Sequence, residues 1–225
     1  MGIKDYLIIN YECKQKSSHV LPFLIKDISN IKEIIFNGEK IKHFNIELIE
    51  NFNLISIDEK PNNGLNSLII VLNKKSYNIG LVDDECTDIS FNNSIFNNEL
   101  YKNIMLDFSN LNVEKLNDKS FFNLKNLISL KTSKNLSYIG DNCFIGCDNL
   151  TRLIFNTQFA PKLGICVFGY EDNRCAGRNT YSLGVNKLYL INDAKNYDQG
   201  DWSNILLNKD KCGFIIDSHW GFKNF

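Results

Sequence analysis

Apolar positions in the second half of the chain recur every 23 residues. Three stretches line up. The first runs from Asn103-Ile104-Met105-Leu106 through Leu111, Val113, Leu116, Asp118 and Phe121 to Leu124. The second runs from Asn126-Leu127-Ile128-Ser129-Leu130 through Leu136, Ile139, Asp141 and Phe144 to Cys147. The third opens at Asn149-Leu150-Thr151-Arg152-Leu153 and continues to Leu163 and Phe168. Asn103, Asn126 and Asn149 are 23 apart, as are Leu116 and Ile139, Asp118 and Asp141, and Phe121 and Phe144. A unit this short has one apolar face and no means of covering it, so its neighbour must do so. Leu130-x-Thr132 and Leu153-x-Phe155 alternate with period 2, which predicts one short strand per unit. Leu136 and Ile139 turn the chain inward again, and the spacing of three between Phe144 and Cys147 predicts a helical or 3₁₀ turn on the return. Strands stacked about 4.8 Å apart then form a parallel sheet along one side of a solenoid. The Asn ahead of each strand suits a turn in which its side chain bonds nearby backbone.

The first hundred residues carry a weaker pattern. Ile31-Lys32-Glu33-Ile34-Ile35-Phe36 and Leu54-Ile55-Ser56-Ile57 are again 23 apart and predict two degenerate coils, with Ile41, Phe44, Ile46 and Ile49 on their return side. Leu68 to Leu72 and Tyr77 to Val82, joined by Asn73-Lys74-Lys75-Ser76, predict a hairpin. Tyr6 to Tyr11 predicts a strand that caps the open end of the stack, since an unpaired edge invites aggregation. The expected organisation is an N-terminal cap with degenerate repeats and a hairpin over 1–102, and regular repeats with a C-terminal cap over 103–225. No Pro/Gly/Ser linker divides them, which favours one continuous body.

The segment Leu136-Ser137-Tyr138-Ile139-Gly140-Asp141-Asn142-Cys143-Phe144-Ile145-Gly146-Cys147-Asp148-Asn149-Leu150 resembles the BspA-type leucine-rich repeat, whose unit reads roughly v-x-x-I-G-x-x-A-F-x-x-C-x-x-L. Cys143 stands where that family prefers Ala, and Cys147 where it prefers Cys. The closing segment is similar to the family's terminal unit: Phe159-Ala160-Pro161-Lys162-Leu163-Gly164 and Phe168, then a strand at Lys187-Leu188-Tyr189-Leu190, then Tyr197, Trp202 and Ile205. The resemblance covers Asn103 to Ile216. It implies a β-rich, right-handed leucine-rich-repeat solenoid, with a parallel sheet on one face, short helical or 3₁₀ turns on the other, and an irregular N-terminal cap. It also implies surface attachment or recognition of other proteins.

Composition narrows the function. The 225 residues hold 25 basic and 26 acidic side chains, a balance that argues against a nucleic-acid binder. Asn occurs 33 times, Ile 28 and Lys 22, against three Arg and three Ala, as expected of an A/T-rich gene. Such a bias supplies the sequons Asn92-Asn93-Ser94, Asn135-Leu136-Ser137 and Asn149-Leu150-Thr151 by chance. No run of about 18 apolar residues would span a bilayer. The opening Met1-Gly2-Ile3-Lys4-Asp5-Tyr6 lacks the features of a signal peptide or a myristoylation site. Seven scattered cysteines fit reduced thiols. The chain is therefore expected to be made in a cytoplasm.

The sequence offers little for catalysis. It has no Gly-rich phosphate loop, no G-x-S-x-G and no paired Cys/His signature. Cys143, Cys147, Cys166 and Cys175 invite a metal reading, but the first two align with core positions Ser120 and Leu124, where small buried thiols fit. His19, His43 and His219 lie in unrelated contexts. Asp83-Asp84-Glu85 with Asp88 lacks calcium-loop spacing and reads as a solvated turn. A sugar site would need convergent carboxylates beside aromatics, and Asp107 near Tyr189 is the one pairing that approaches this. No cofactor or metal is expected, and no enzyme activity.

Recognition is better served. Residues alternating with the core leucines point outward from each strand: Met105 and Asp107, Ser129 and Lys131, Arg152 and Ile154, Lys187 and Tyr189. This mixture of charge, thioether and aromatic suits a protein-binding surface. A second candidate is the insertion from Tyr170 to Tyr181, which carries Arg174 and Arg178, two of the three arginines, for planar multidentate contacts. The tail from Ser218 to Phe225 holds Trp220 and two phenylalanines, expected to pack on the stack's end or on another subunit. The expected function is a non-enzymatic protein-interaction or attachment module whose partners are proteins, without nucleic acid or membrane insertion. As a component of a virus or phage particle it would bind other particle subunits. The alternative is a surface adhesin or carbohydrate-binding protein exported by an unrecognised route.

Overall fold

The computed structural model describes residues 5–13, 20–74, 76–81, 83–91, 93–168, 187–190, 195–197, 199–202 and 215–217, with backbone alone at 187–190 and 215–217. The strands form two sheets. The nine-stranded sheet runs in the order β17 (Ile215–Asp217), β16 (Lys187–Leu190), β14 (Arg152–Phe155), β12 (Leu127–Lys131), β10 (Tyr101–Asp107), β1 (Asp5–Cys13), β7 (Gly64–Leu72), β3 (Ile31–Phe36), β4 (Glu39–Lys40). The eight-stranded sheet runs β15 (Lys162–Leu163), β13 (Tyr138–Ile139), β11 (Val113–Leu116), β8 (Tyr77–Gly80), β9 (Ile89–Ser90), β2 (Phe23–Ile25), β6 (Phe52–Ser56), β5 (Asn45–Ile49). From β10 to β16 the chain alternates between them strand by strand, and each neighbouring pair among β10, β12, β14, β16 and β17 is parallel. This is a β-rich repeat fold.

The second sheet is a correction. Helical or 3₁₀ turns were expected opposite the first sheet. Instead Leu116, Ile139 and Leu163 lie in strands whose pairing is parallel, and the amides beyond them reach the preceding rung: Gly140 N–H to the Leu116 carbonyl at 2.7 Å, Gly164 N–H to that of Ile139 at 2.8 Å. The segment around Phe121 and Phe144 does contain single turns, such as Cys147 N–H to Phe144 C=O at 3.3 Å. They do not propagate into a helix, because the amides a helix would use are already committed to the next rung. Lys119, Phe121 and Asn123 donate to the carbonyls of Asp141, Cys143 and Ile145 at 2.8, 3.0 and 2.7 Å, and Asn142 and Phe144 to those of Ile165 and Val167, both at 2.9 Å.

The repeat is held in step by three devices. Left-handed backbone recurs at the period, at Lys119 (φ 55°) and Asn142 (φ 55°), and at Asn123 (φ 58°) and Gly146 (φ 72°). Each of the two aspartates caps the next rung: an Asp118 carboxylate oxygen accepts the Asp141 amide at 2.8 Å, and Asp141 accepts the Ile165 amide at 2.7 Å. Gly140 and Gly164 permit this approach, since a Cβ at either would collide with the backbone of the rung before it. The recurring asparagines also look backward. Asn126 Nδ2 donates to the Tyr101 carbonyl at 2.8 Å and Asn149 Nδ2 to that of Lys125 at 2.7 Å, so they tie consecutive rungs where local turn bonds were expected. Asn103 differs again, as a left-handed residue (φ 50°) inside β10 that donates to Glu12.

The interior confirms the repeat. Phe121 and Phe144 stack with centroids 5.3 Å apart and planes at 6°, and Phe144 and Phe168 at 5.5 Å and 4°. Phe91 extends the column at 5.6 Å from Phe121. At its other end Trp202 lies edge-on to Phe168, Phe155 and Tyr197, with Nε1–H donated to the Pro161 carbonyl at 2.7 Å. Tyr197 and Trp202 are both buried.

The N-terminal half departs from its expected layout. Ile31–Phe36 is β3 of the nine-stranded sheet while Leu54–Ile57 begins in β6 of the other, so their spacing of 23 does not make them equivalent rungs. The expected hairpin is absent: β7 pairs with β1 and β3, and β8 with β11 and β9. β7 and β8 lie in different sheets because Leu68, Ile70, Leu72, Tyr77 and Ile79 all face the interior, which two stacked sheets satisfy and a flat hairpin would not. β1 does cover the edge of the parallel block, pairing antiparallel with β10, yet it is itself covered by β7 and lies inside the sheet. Both sheets and one contiguous buried cluster run through the boundary expected at 102/103.

Two substitutions test this construction. Phe144→Ala removes the middle ring of the column and is expected to cost about 3–5 kcal/mol in chemical unfolding. Gly140→Ala drives a methyl into the backbone of Asn117 and Asp118, and a loss of about 1–3 kcal/mol is expected by the same measurement.

Candidate interaction face

The outward residues of the nine-stranded sheet fall into two in-register columns. Met105 is opposite Ser129, Ser129 opposite Arg152, and Arg152 opposite Lys187. Asp107 is opposite Lys131, Lys131 opposite Ile154, and Ile154 opposite Tyr189. Met105, Asp107, Ser129, Lys131, Arg152 and Ile154 are all half-buried, while the residues between them, Leu106, Leu130 and Leu153, are fully inside. Strand alternation alone produces this division. For Lys187 and Tyr189 the register is set by the backbone. Arg174, Arg178 and Trp220 lie outside the described residues.

The sequence reading missed the other half of this face. Antiparallel pairing continues the Met105 column through Asn10 to Ser67, and the Asp107 column through Ile8 and Ile69 to Ile35. The Asp107 column therefore crosses seven strands, roughly 29 Å, and the Met105 column six. The signal was present in the alternation of Asp5–Cys13, where Leu7, Ile9, Tyr11 and Cys13 are buried and Ile8 and Asn10 are not. What the sequence could not show was that this strand lies beside β10. One end of the Asp107 column is thus apolar, with Ile35, Ile69 and Ile8 in a row, and charge enters further along the face at Asp107, Lys131, Arg152 and Lys187.

Electrostatics on the face are local. Lys131 Nζ lies 3.4 Å from Asp107 Oδ2, with both side chains about a fifth exposed (18% and 26%). The other oxygen of Asp107 accepts the Ser109 amide at 2.7 Å. Both carboxylate oxygens are therefore engaged. Asp107 and Tyr189 do not converge on a sugar-sized site: three strand spacings, roughly 14 Å, separate them along one column.

Several of the other residues considered for chemistry are engaged in the fold. Cys143 and Cys147 are buried, and burial pushes the Cys143 thiol well above its ordinary range and that of Cys147 up to about 12. The Cys147 Sγ instead donates to the Phe121 carbonyl at 2.8 Å, another bond between rungs. Cys166 is buried against Ile145, and Cys175 lies outside the described residues. No group of three or more His, Cys, Asp or Glu able to hold a metal occurs among the described residues. His43 is exposed, and His19 and His219 lie outside them. The acidic segment 83–88 is more than a solvated turn: Asp88 pairs with Lys74 at 2.5 Å and accepts the Asn78 amide, and Asp84 accepts from Cys86 N–H and Asn117 Nδ2. Among the described residues no helix is long and apolar enough to cross a membrane.

With this geometry in place, comparison with protein families becomes informative. Residues 85–173 match the family model for the BspA type leucine-rich repeat region, described as six copies. This stretch is a BspA-type leucine-rich repeat region. The match begins at Glu85, upstream of the first regular rung, and takes in Phe91, whose ring heads the aromatic column. Compared with curated proteins and with solved structures, the chain matches none. The family suggests a protein-interaction or adhesion module, and the two columns are a regular surface that these repeats present.

Removing the ion pair should show how little this face contributes to folding. Asp107→Ala and Lys131→Ala, singly or together, are each expected to change stability by less than about 1 kcal/mol in chemical unfolding, as for other partly exposed pairs.

Proposed function

We propose that the chain is a non-enzymatic protein-interaction module, a right-handed leucine-rich-repeat solenoid whose outer sheet face binds another protein. The observation that carries the reading is the register: Met105–Ser129–Arg152 and Asp107–Lys131–Ile154 form two straight columns on a backbone locked rung to rung. Such a face offers side chains at fixed spacing and loses little conformational freedom on binding, which favours recognition of a large, flat partner. Right-handedness follows from the general rule for crossovers between parallel strands of one sheet, which applies to β10–β11–β12 and β12–β13–β14. One continuous body is the matching proposal for the domain organisation, supported by the sheets that run through 102/103.

The partner is expected to straddle the apolar and charged parts of the face. Crosslinking mass spectrometry on material from the native source should therefore recover crosslinks from Lys131 and Lys102 to one partner at constant ratio. Met105→Glu with Arg152→Glu should reduce capture of that partner at least tenfold, while the thermal midpoint moves by no more than a few degrees. Crosslinks that cluster elsewhere, with capture unchanged in the double variant, would remove the face from the reading.

A further inference from the structure

No further inference is drawn: the strongest candidate, the edge strand β5 of the eight-stranded sheet with its exposed Ile46 and Leu48, carries nothing because nothing in the structure shows what covers it.

Discussion

The structure depends on each rung offering the next a backbone in the same register. A unit of 23 residues has no core of its own; Phe121, Phe144 and Phe168 are buried because each covers the next. Face-to-face stacking at 5.3 and 5.5 Å tolerates no slip along the chain, since one residue of shift in a strand would move its leucines to the outer face. The polar devices between rungs enforce that register at the points where hydrophobic packing is least directional. The carboxylates of Asp118 and Asp141 each accept an amide of the following rung, and the side chains of Asn126 and Asn149 each reach a carbonyl of the preceding one. The third unit is one residue longer between Phe155 and Leu163, yet Asp141 still finds Ile165 and Phe144 still meets Phe168. The extra residue is absorbed in the connection, where it disturbs neither sheet.

A stack of parallel rungs has two open ends, and the N-terminal half solves one of them by changing direction. β1 enters antiparallel beside β10, and β7 and β3 extend the sheet beyond it. Its alternation of Leu7, Ile9, Tyr11 and Cys13 supplies the same buried face as a repeat strand without needing the repeat. Tyr11 is buried with its hydroxyl oxygen accepting the Leu21 amide at 3.2 Å, and burial raises its pKa well above the usual phenol range. At the C-terminal end the device is aromatic instead: Trp202 and Tyr197 close over Phe155 and Phe168, and Thr157 meets the Tyr197 hydroxyl at 2.5 Å.

The repeat was legible because it is written in large buried side chains at constant spacing. Phe121, Phe144 and Phe168 could be placed in one column, and Met105, Ser129 and Arg152 on one face, from period alone. The second sheet was not legible, because two-residue strands such as Tyr138–Ile139 are too short to show alternation, and their bonds are made to a rung 23 or so residues away. The N-terminal half misled for a different reason. A spacing of 23 between Ile31 and Leu54 is satisfied by two strands in different sheets, and spacing carries no information on strand direction. Ile8, Ile35 and Ile69 escaped notice as surface residues because their placement depends on antiparallel partners distant in sequence.

This separation of roles also explains how such a surface can serve recognition. Inward positions carry the fold: Leu106, Leu130 and Leu153 are almost wholly inside, and the glycines at 140 and 164 have no room for a methyl. Outward positions one residue away carry almost none of it. The Asp107–Lys131 pair is partly exposed, and the solvent that reaches it weakens its contribution. The outer face can therefore vary in charge and shape at every second residue while the backbone beneath stays fixed. On the proposed reading, rigidity comes from the ladder and specificity from the columns. A partner that reads several rungs at once would gain from both, since the spacing it meets is set by hydrogen bonds that none of its own contacts disturb.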